Sequence, residues 1–150
     1  MNRREQIKLT PDEQAKFLSE ARKVSLATID QDGFPHLVAM NFLARDGAIL
    51  MSSYGKAQKV VNIRRNPKVA VMAESGRKYS ELRGLMIRGN CEILDDPKTV
   101  RAEMNAIRGR DPSYEADVSI PDSIVTKRVI LKVTPSKVVS WDHSKLGGRY

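Results

Sequence analysis

The chain has 150 residues, 41% of them hydrophobic, and a formal net charge of +8, which together predict one compact domain over residues 1–150 with an anion-attracting surface. Cys91 is the only cysteine, which excludes an internal disulfide, a Cys-x-x-Cys redox pair and a thiolate cluster for a metal. No stretch reaches the roughly 20 apolar residues of a membrane helix, and the first residues lack the apolar core of a signal peptide, so we expect a soluble, cytoplasmic protein with no membrane partner.

The first predicted element is a capped helix. Thr10 suits the N-cap, Pro11 suits the first helical position, and Glu13 completes a capping box. Helical spacing continues through about Arg22. This helix is expected to lie across a sheet or the mouth of a barrel.

Alternating apolar and polar residues then predict strands, most of them joined by short turns. In chain order the predicted strands are 24–29, 34–44, 48–53, 68–74, 82–94, 127–134 and 137–141. Helical spacing is found over 56–65 and 95–109, a loop covers 110–122, and the tail 142–150 is polar. Gly84 and Gly89 permit a bend or bulge in the long strand. Because strands outnumber helices and no period recurs, the sequence predicts a mainly β (α+β) fold, an antiparallel barrel with short flanking helices.

One segment, Ser52 to Lys59, lies where a predicted strand ends and a predicted helix begins. First-turn N–H groups of a helix lack internal partners and carry partial positive charge, and Ser52 and Ser53 add hydroxyl donors. Lys56 and Lys59 are three residues apart, so both ammonium groups can converge on one oxyanion. The segment predicts a phosphate site, with a strand end and a solvated helix surface as the alternative. It has neither Walker A nor Gly-x-Gly-x-x-Gly spacing.

The order of these motifs resembles the pyridoxamine 5′-phosphate oxidase-like, FMN-binding split-barrel superfamily, in particular its flavin/deazaflavin oxidoreductase branch. The resemblance rests on the capped helix, the strand Val-Ser-Leu-Ala-Thr-Ile, the strand opening Phe-Pro-His-Leu-Val, the strand ending Met-Ser-Ser, and the block from Lys59 to Val69. It covers nearly the whole chain. It implies a split β-barrel of six to seven antiparallel strands.

The resemblance also implies a homodimer with a cofactor in each of two grooves between the chains. The implied cofactor-binding residues are Met40, Asn41 and Met51 near the ring, Ser52, Ser53, Lys56 and Lys59 at the phosphate, and Trp141 contributed by the partner chain. Trp141 could equally fill the core at the end of a strand. Members of this branch often carry an arginine where Ala57 stands here, and Lys56 is the candidate substitute.

The implied reaction is hydride transfer between coenzyme F420 and an electron-poor organic substrate, with FMN as the alternative cofactor and FAD or haem also found among relatives. Coenzyme F420 carries a phosphodiester and a polyglutamyl tail, so the excess positive charge favours it over FMN. The candidates to line the path of the tail are Arg77, Lys78, Arg83, Lys127, Arg128 and Lys145. His36 is the candidate proton donor, with a structural role as its alternative. Two histidines without a His-Glu-x-x-His pattern predict no catalytic metal.

A binding protein without turnover is the competing hypothesis. Such a protein would bind nucleic acid, or would carry or sequester a cofactor. The aromatic residues are few and scattered, and no basic stripe carries interleaved Phe or Tyr as a base-stacking platform requires. The sequence therefore predicts a small-molecule partner rather than a nucleic acid.

Overall fold

Antiparallel strands dominate the structure, with short helices between them. The computed structural model describes residues 2–115 and 118–149. Over these ranges the helices are α1 (Arg3–Gln6), α2 (Pro11–Glu20), α3 (Gln58–Arg65), α4 (Pro97–Arg108) and α5 (Asp122–Val125), with 3₁₀ turns at Tyr79–Glu81 and His143–Leu146. The strands are β1 (Lys23–Ile29), β2 (Pro35–Asn41), β3 (Leu43–Arg45), β4 (Ala48–Tyr54), β5 (Lys68–Ser75), β6 (Arg83–Leu94) and β7 (Arg128–Asp142). None of these helices combines the length and apolar composition needed to cross a membrane.

The strands form one sheet in the order β2-β1-β5-β6-β7-β4-β3. The outermost strands β2 and β3 follow each other in the chain without pairing, so the curled sheet stays open along a split. Leu26, Met51 and Leu131 are fully buried on the inner side of the sheet. The prediction of a mainly β, antiparallel fold with seven strands and short flanking helices is confirmed.

Helix α2 begins as its sequence predicts. The Glu13 amide donates to Thr10 Oγ1 at 3.2 Å, and the Thr10 amide donates to Glu13 Oε2 at 2.8 Å. Each bond satisfies an amide that has no partner within the helix. The helix ends at Glu20 rather than Arg22, because Lys23 already begins β1.

Two strand predictions were wrong. Residues 34–44 do not form one strand, because Phe42 is buried between β2 and β3 and its carbonyl accepts from Arg110 Nη1 at 2.6 Å instead of from a neighbouring strand. Residues 127–134 and 137–141 are not separate strands, because β7 continues through Pro135. A register shift between Arg88 and Gly89 absorbs this proline, which lacks an N–H for the ladder.

The helices also differ from the prediction in one boundary and in two additional short helices. Helix α3 begins at Gln58 rather than at Lys56, because Gly55 and Lys56 lie in the turn that follows β4. The short helices α1 and α5 were not predicted, and each has only four residues. Part of the predicted loop, residues 116 and 117, and the end of the predicted tail, residue 150, lie outside the described residues.

Candidate functional site

A cleft of about 450 Å³ lies in the split of the sheet. Its walls are the last residues of β2, the end of β4, the start of β7 and the C-terminal half of α4, and the first turn of α3 closes one end. Five of the predicted site residues line this cleft: Met40, Asn41, Ser52, Ser53 and Lys59. Residues from two strands and a helix therefore meet at one place.

The other predicted site residues lie elsewhere in this chain. Met51 is fully buried in the core beneath β4, and Lys56 is exposed in the turn before α3. Trp141 lies near the far end of β7, opposite Gly84 on β6. His36 lies on β2 opposite Thr28, and its Nδ1 atom is buried without a hydrogen-bond partner. None of the four lines the cleft within the described part of the chain, so their roles in binding or catalysis stay predictions.

A second cation lies beside Lys59 in the cleft. Arg128, the first residue of β7, pairs with Tyr54 at the end of β4, and its guanidinium carbon lies 3.9 Å from the centre of the Tyr54 ring. Of the six residues proposed for the path of the cofactor tail, only Arg128 lines the cleft. Its place beside Lys59 could not be predicted from the sequence, because the pairing of β4 with β7 joins distant parts of the chain.

The charges around Lys59 favour an anion. Burial, and then the positive charge of Arg128, lower the pKa of the Lys59 ammonium group from its ordinary value. Lys23 and Arg108 also line the cleft, whereas no Asp or Glu among the described residues does so. A corner with two cations and no carboxylate attracts an anion from solution.

Unsatisfied donors in the same corner point to the same kind of ligand. Ser52 Oγ and Arg128 Nε are buried and have no hydrogen-bond partner among residues 2–115 and 118–149, whereas Ser53 Oγ donates to the Tyr54 carbonyl at 3.1 Å. Helix α3 starts beside them with Ala57 as its N-cap, without a capping side chain and without an acidic residue in its first turn. The positive end of the helix dipole is therefore uncompensated. These groups fit a phosphate, which offers several acceptor oxygens together with negative charge.

The opposite wall of the cleft carries a second stacked pair. Arg108, at the end of α4, has its guanidinium carbon 4.9 Å from the centre of the Tyr114 ring. Met104 and Ile107 from the same helix give this wall an apolar surface. In residues 2–115 and 118–149 no group of three His, Cys, Asp or Glu side chains is placed to hold a metal ion. The lining of the cleft thus combines cationic and apolar side chains.

The cleft opens at the margin of an exposed sheet face. Ala39, Ser25, Met72, Met86 and Val139 lie side by side across β2, β1, β5, β6 and β7. Exposure is high along this outer face, reaching 69% for Leu37, 41% for Val139 and 37% for Met72. Lys23, Ala39 and Asn41 belong both to this face and to the cleft.

Comparisons with known proteins agree with this architecture. The family model for pyridoxamine 5′-phosphate oxidase matches residues 10–142. A conserved hypothetical protein from Mycobacterium tuberculosis has a similar structure at 35% sequence identity, with a TM-score of 0.89 over 100% of this chain and 95% of that chain. A structure described as an F420 reductase is 28% identical, with a TM-score of 0.68 over 86% of this chain and 98% of that chain.

A more distant structure shares the fold. A FAD-binding protein from Mesorhizobium loti is 21% identical, with a TM-score of 0.68 over 88% of this chain and 94% of that chain. No protein with a curated function matches the chain. The family match and the 35% identical structure nonetheless cover most or all of the sequence. The chain therefore belongs to the pyridoxamine 5′-phosphate oxidase-like, FMN-binding split-barrel superfamily, whose fold binds flavin-type cofactors.

Proposed function

We propose that this protein is a cytoplasmic oxidoreductase that binds coenzyme F420 in the cleft and transfers a hydride between the coenzyme and an electron-poor organic substrate. The observation that carries this proposal is the corner formed by Ser52, Lys59 and Arg128. Two cations and two unsatisfied donor groups meet there without a carboxylate. A phosphate group would satisfy both the charges and the donors.

The coenzyme would supply the redox chemistry, and the chain would supply binding, orientation and protection from water. Lys59 and Arg128 would hold the phosphate. Val38, Met40 and Met104 offer an apolar surface for a planar ring between the strands and α4. Holding the coenzyme and the substrate between two walls fixes their relative position before the reaction. Less entropy is then lost when the hydride is transferred.

The charge of the cleft supports coenzyme F420 over FMN. Four cationic side chains line the cleft: Lys23, Lys59, Arg108 and Arg128. Coenzyme F420 carries carboxylates beyond its phosphodiester and so gains more from several cations than FMN does. The similarity to an F420 reductase at 28% identity supports the same choice. FMN, held at the same corner, is the second candidate.

We also infer that the protein works as a homodimer, with the second copy packed on the outer sheet face. Apolar faces left open on a soluble domain mark interaction surfaces. The cleft lies at the β2 margin of this face and Trp141 lies at the β7 margin. A two-fold axis parallel to the central strand β5 would therefore bring the partner's Trp141 to the cleft. In this arrangement Trp141 of each chain would contact the cofactor bound in the cleft of the other chain.

Titration of the purified protein with coenzyme F420 and with FMN, followed by fluorescence, tests the proposal. We expect tighter binding of coenzyme F420, and Lys59→Ala should weaken it by about 10- to 100-fold, the effect of losing a charge-assisted bond. The matched control is Lys16→Ala, which removes an exposed lysine on α2, outside the cleft and outside the predicted binding residues. Failure of the native protein to bind either cofactor would refute the proposal.

Turnover separates the proposal from a binding protein. With reduced coenzyme F420 and a nitroaromatic or quinone acceptor, we expect oxidation of the coenzyme that depends on the protein concentration. Tight binding of the coenzyme without transfer to any acceptor would instead indicate a cofactor carrier. Binding of DNA or RNA with a steep salt dependence, and no response to either cofactor, would indicate a nucleic-acid protein.

A further inference from the structure

Arg110 joins three separate parts of the chain beside the cleft. It follows α4 by two residues, and its Nη1 atom donates to the Phe42 carbonyl at 2.6 Å. Its Nη2 atom lies 2.8 Å from the Ala21 carbonyl and 3.1 Å from the carbonyls of Leu18 and Ser19. Its guanidinium carbon also stacks 4.4 Å above the centre of the Phe42 ring.

These contacts give Arg110 two tasks. The last carbonyls of a helix have no partner within the helix, and α2 has no basic residue in its last turn. Arg110 supplies that cation from a distant part of the chain, at the negative end of the helix dipole. It also satisfies the carbonyl of Phe42, the residue that separates β2 from β3 along the chain.

The same residue connects the two walls of the cleft. Asn41 and Met40, directly before Phe42, form one wall, whereas Ile107 and Arg108, just before Arg110, form the other. A guanidinium that is partly buried and bound to backbone carbonyls rather than to a carboxylate is costly to desolvate. An apolar side chain would fill the same space without that cost. The hydrogen bonds of Arg110 therefore indicate that the positions of β2 and α4 must be set accurately.

We propose that Arg110 is a positioning residue that sets the spacing between β2 and α4, and thereby the fit of a ligand that spans the cleft. This inference rests on the proposed function, because it concerns the same cleft. Arg110 would act through the backbone at Phe42 and α2, without touching the ligand.

The test compares Arg110→Met with Arg101→Met in the full-length protein. Arg101, on α4, is the matched control. It also donates to a backbone carbonyl, that of Ile120, and in addition to the Asp122 carboxylate, away from the cleft. We expect Arg110→Met to weaken binding of coenzyme F420 by about tenfold, because binding must then also fix the spacing of the two walls that Arg110 sets in the native protein. Binding of inorganic phosphate, which needs only the corner at Lys59 and Arg128, should stay unchanged, and Arg101→Met should change neither.

Equal weakening of coenzyme and phosphate binding, or the same loss in Arg101→Met, would reduce Arg110 to a purely structural role and overturn the inference. Unchanged coenzyme binding would also overturn it. Hydrogen exchange measured without ligand provides an independent arm: Arg110→Met should speed exchange in β2 and in the last turn of α4, whereas Arg101→Met should not. Unchanged exchange in Arg110→Met would overturn the inference even if the native protein binds no coenzyme, whereas faster exchange supports it only together with the selective loss of coenzyme binding. Arg110→Lys replaces the methionine variant if that variant does not fold.

Discussion

Tyr54 stacks on Arg128 across the β4–β7 pair, with the guanidinium carbon 3.9 Å from the ring centre. The ring covers one side of the guanidinium while Nε stays buried and without a partner. Such a contact restricts the rotation of a long side chain. Arg128 is therefore held in the cleft before any ligand arrives.

Removing the Tyr54 ring should free Arg128 and weaken anion binding. We expect Tyr54→Leu to lower the affinity for coenzyme F420 by about three- to tenfold, the range of a single cation–π contact. The control is Tyr54→Phe, which keeps the ring and should bind as the native protein does. Fluorescence titration measures both variants, and equal losses in the two would show that the hydroxyl rather than the stack is needed.

Coenzyme binding should weaken at alkaline pH. Burial and the nearby Arg128 place the pKa of Lys59 below its ordinary value of 10.5, and a bound anion needs the charged form. The affinity should therefore fall as the pH rises through this lowered pKa. Dissociation constants measured across that range test the expectation. In Lys59→Arg, where the guanidinium does not titrate, the profile should be flatter.

The outer sheet face should hold two copies together. We expect light scattering to give about twice the 16.8 kDa mass of one chain, and Met72→Glu, in the middle of the face, to give the single-chain mass. Val61→Glu is the matched control, because Val61 is 46% exposed but lies on α3 outside this face. A native protein that stays monomeric, or a dimer unaffected by Met72→Glu, would contradict the inferred surface.

The contact between Lys145 in the C-terminal segment and Glu13 at the start of α2 should stabilise the fold less in acid. Lys145 Nζ lies 2.6 Å from Glu13 Oε2, and this bond, followed by the Thr10 amide, lowers the pKa of Glu13 from 4.5. A carboxyl group with a lowered pKa adds stability above its unfolded pKa, and this contribution is lost as the pH falls through the folded value.

Glu13→Gln should therefore lower the melting temperature by a few degrees at neutral pH and by less in acid. Glu20→Gln is the control, since Glu20 makes only an exposed contact of 4.0 Å with Lys16. Thermal unfolding followed by circular dichroism measures these shifts. A pH-independent loss in Glu13→Gln would rule out the charge of Glu13 as the cause.

Elements specified by neighbouring residues could be predicted from the sequence. The Thr10–Glu13 capping box depends on residues three apart, and the bend at Gly89 follows from a glycine within a strand. The anion corner, formed by Ser52, Lys59 and Arg128, could be predicted in part for the same reason. Ser52 and Lys59 lie at one strand–helix junction, whereas Arg128 does not.

Features that depend on distant contacts could not be predicted. The interruption at Phe42 requires Arg110, which no local pattern connects to it. Continuity of β7 through Pro135 depends on the register with β6. Arg128 reaches Lys59 only because β7 pairs with β4, and the sequence alone assigned Arg128 to a different part of the ligand.

The anion corner is assembled from two chain segments, one ending at Lys59 and the other beginning at Arg128. A motif search built on residues 52–59 would accept chains that lack this arginine and therefore half of the proposed phosphate site. The same division makes the site hard to transplant: grafting residues 52–59 onto another barrel would transfer two lysines and two serines but not the arginine that lies beside them. Homologues are better classified by whether their last long strand begins with a basic residue, as β7 does with Arg128.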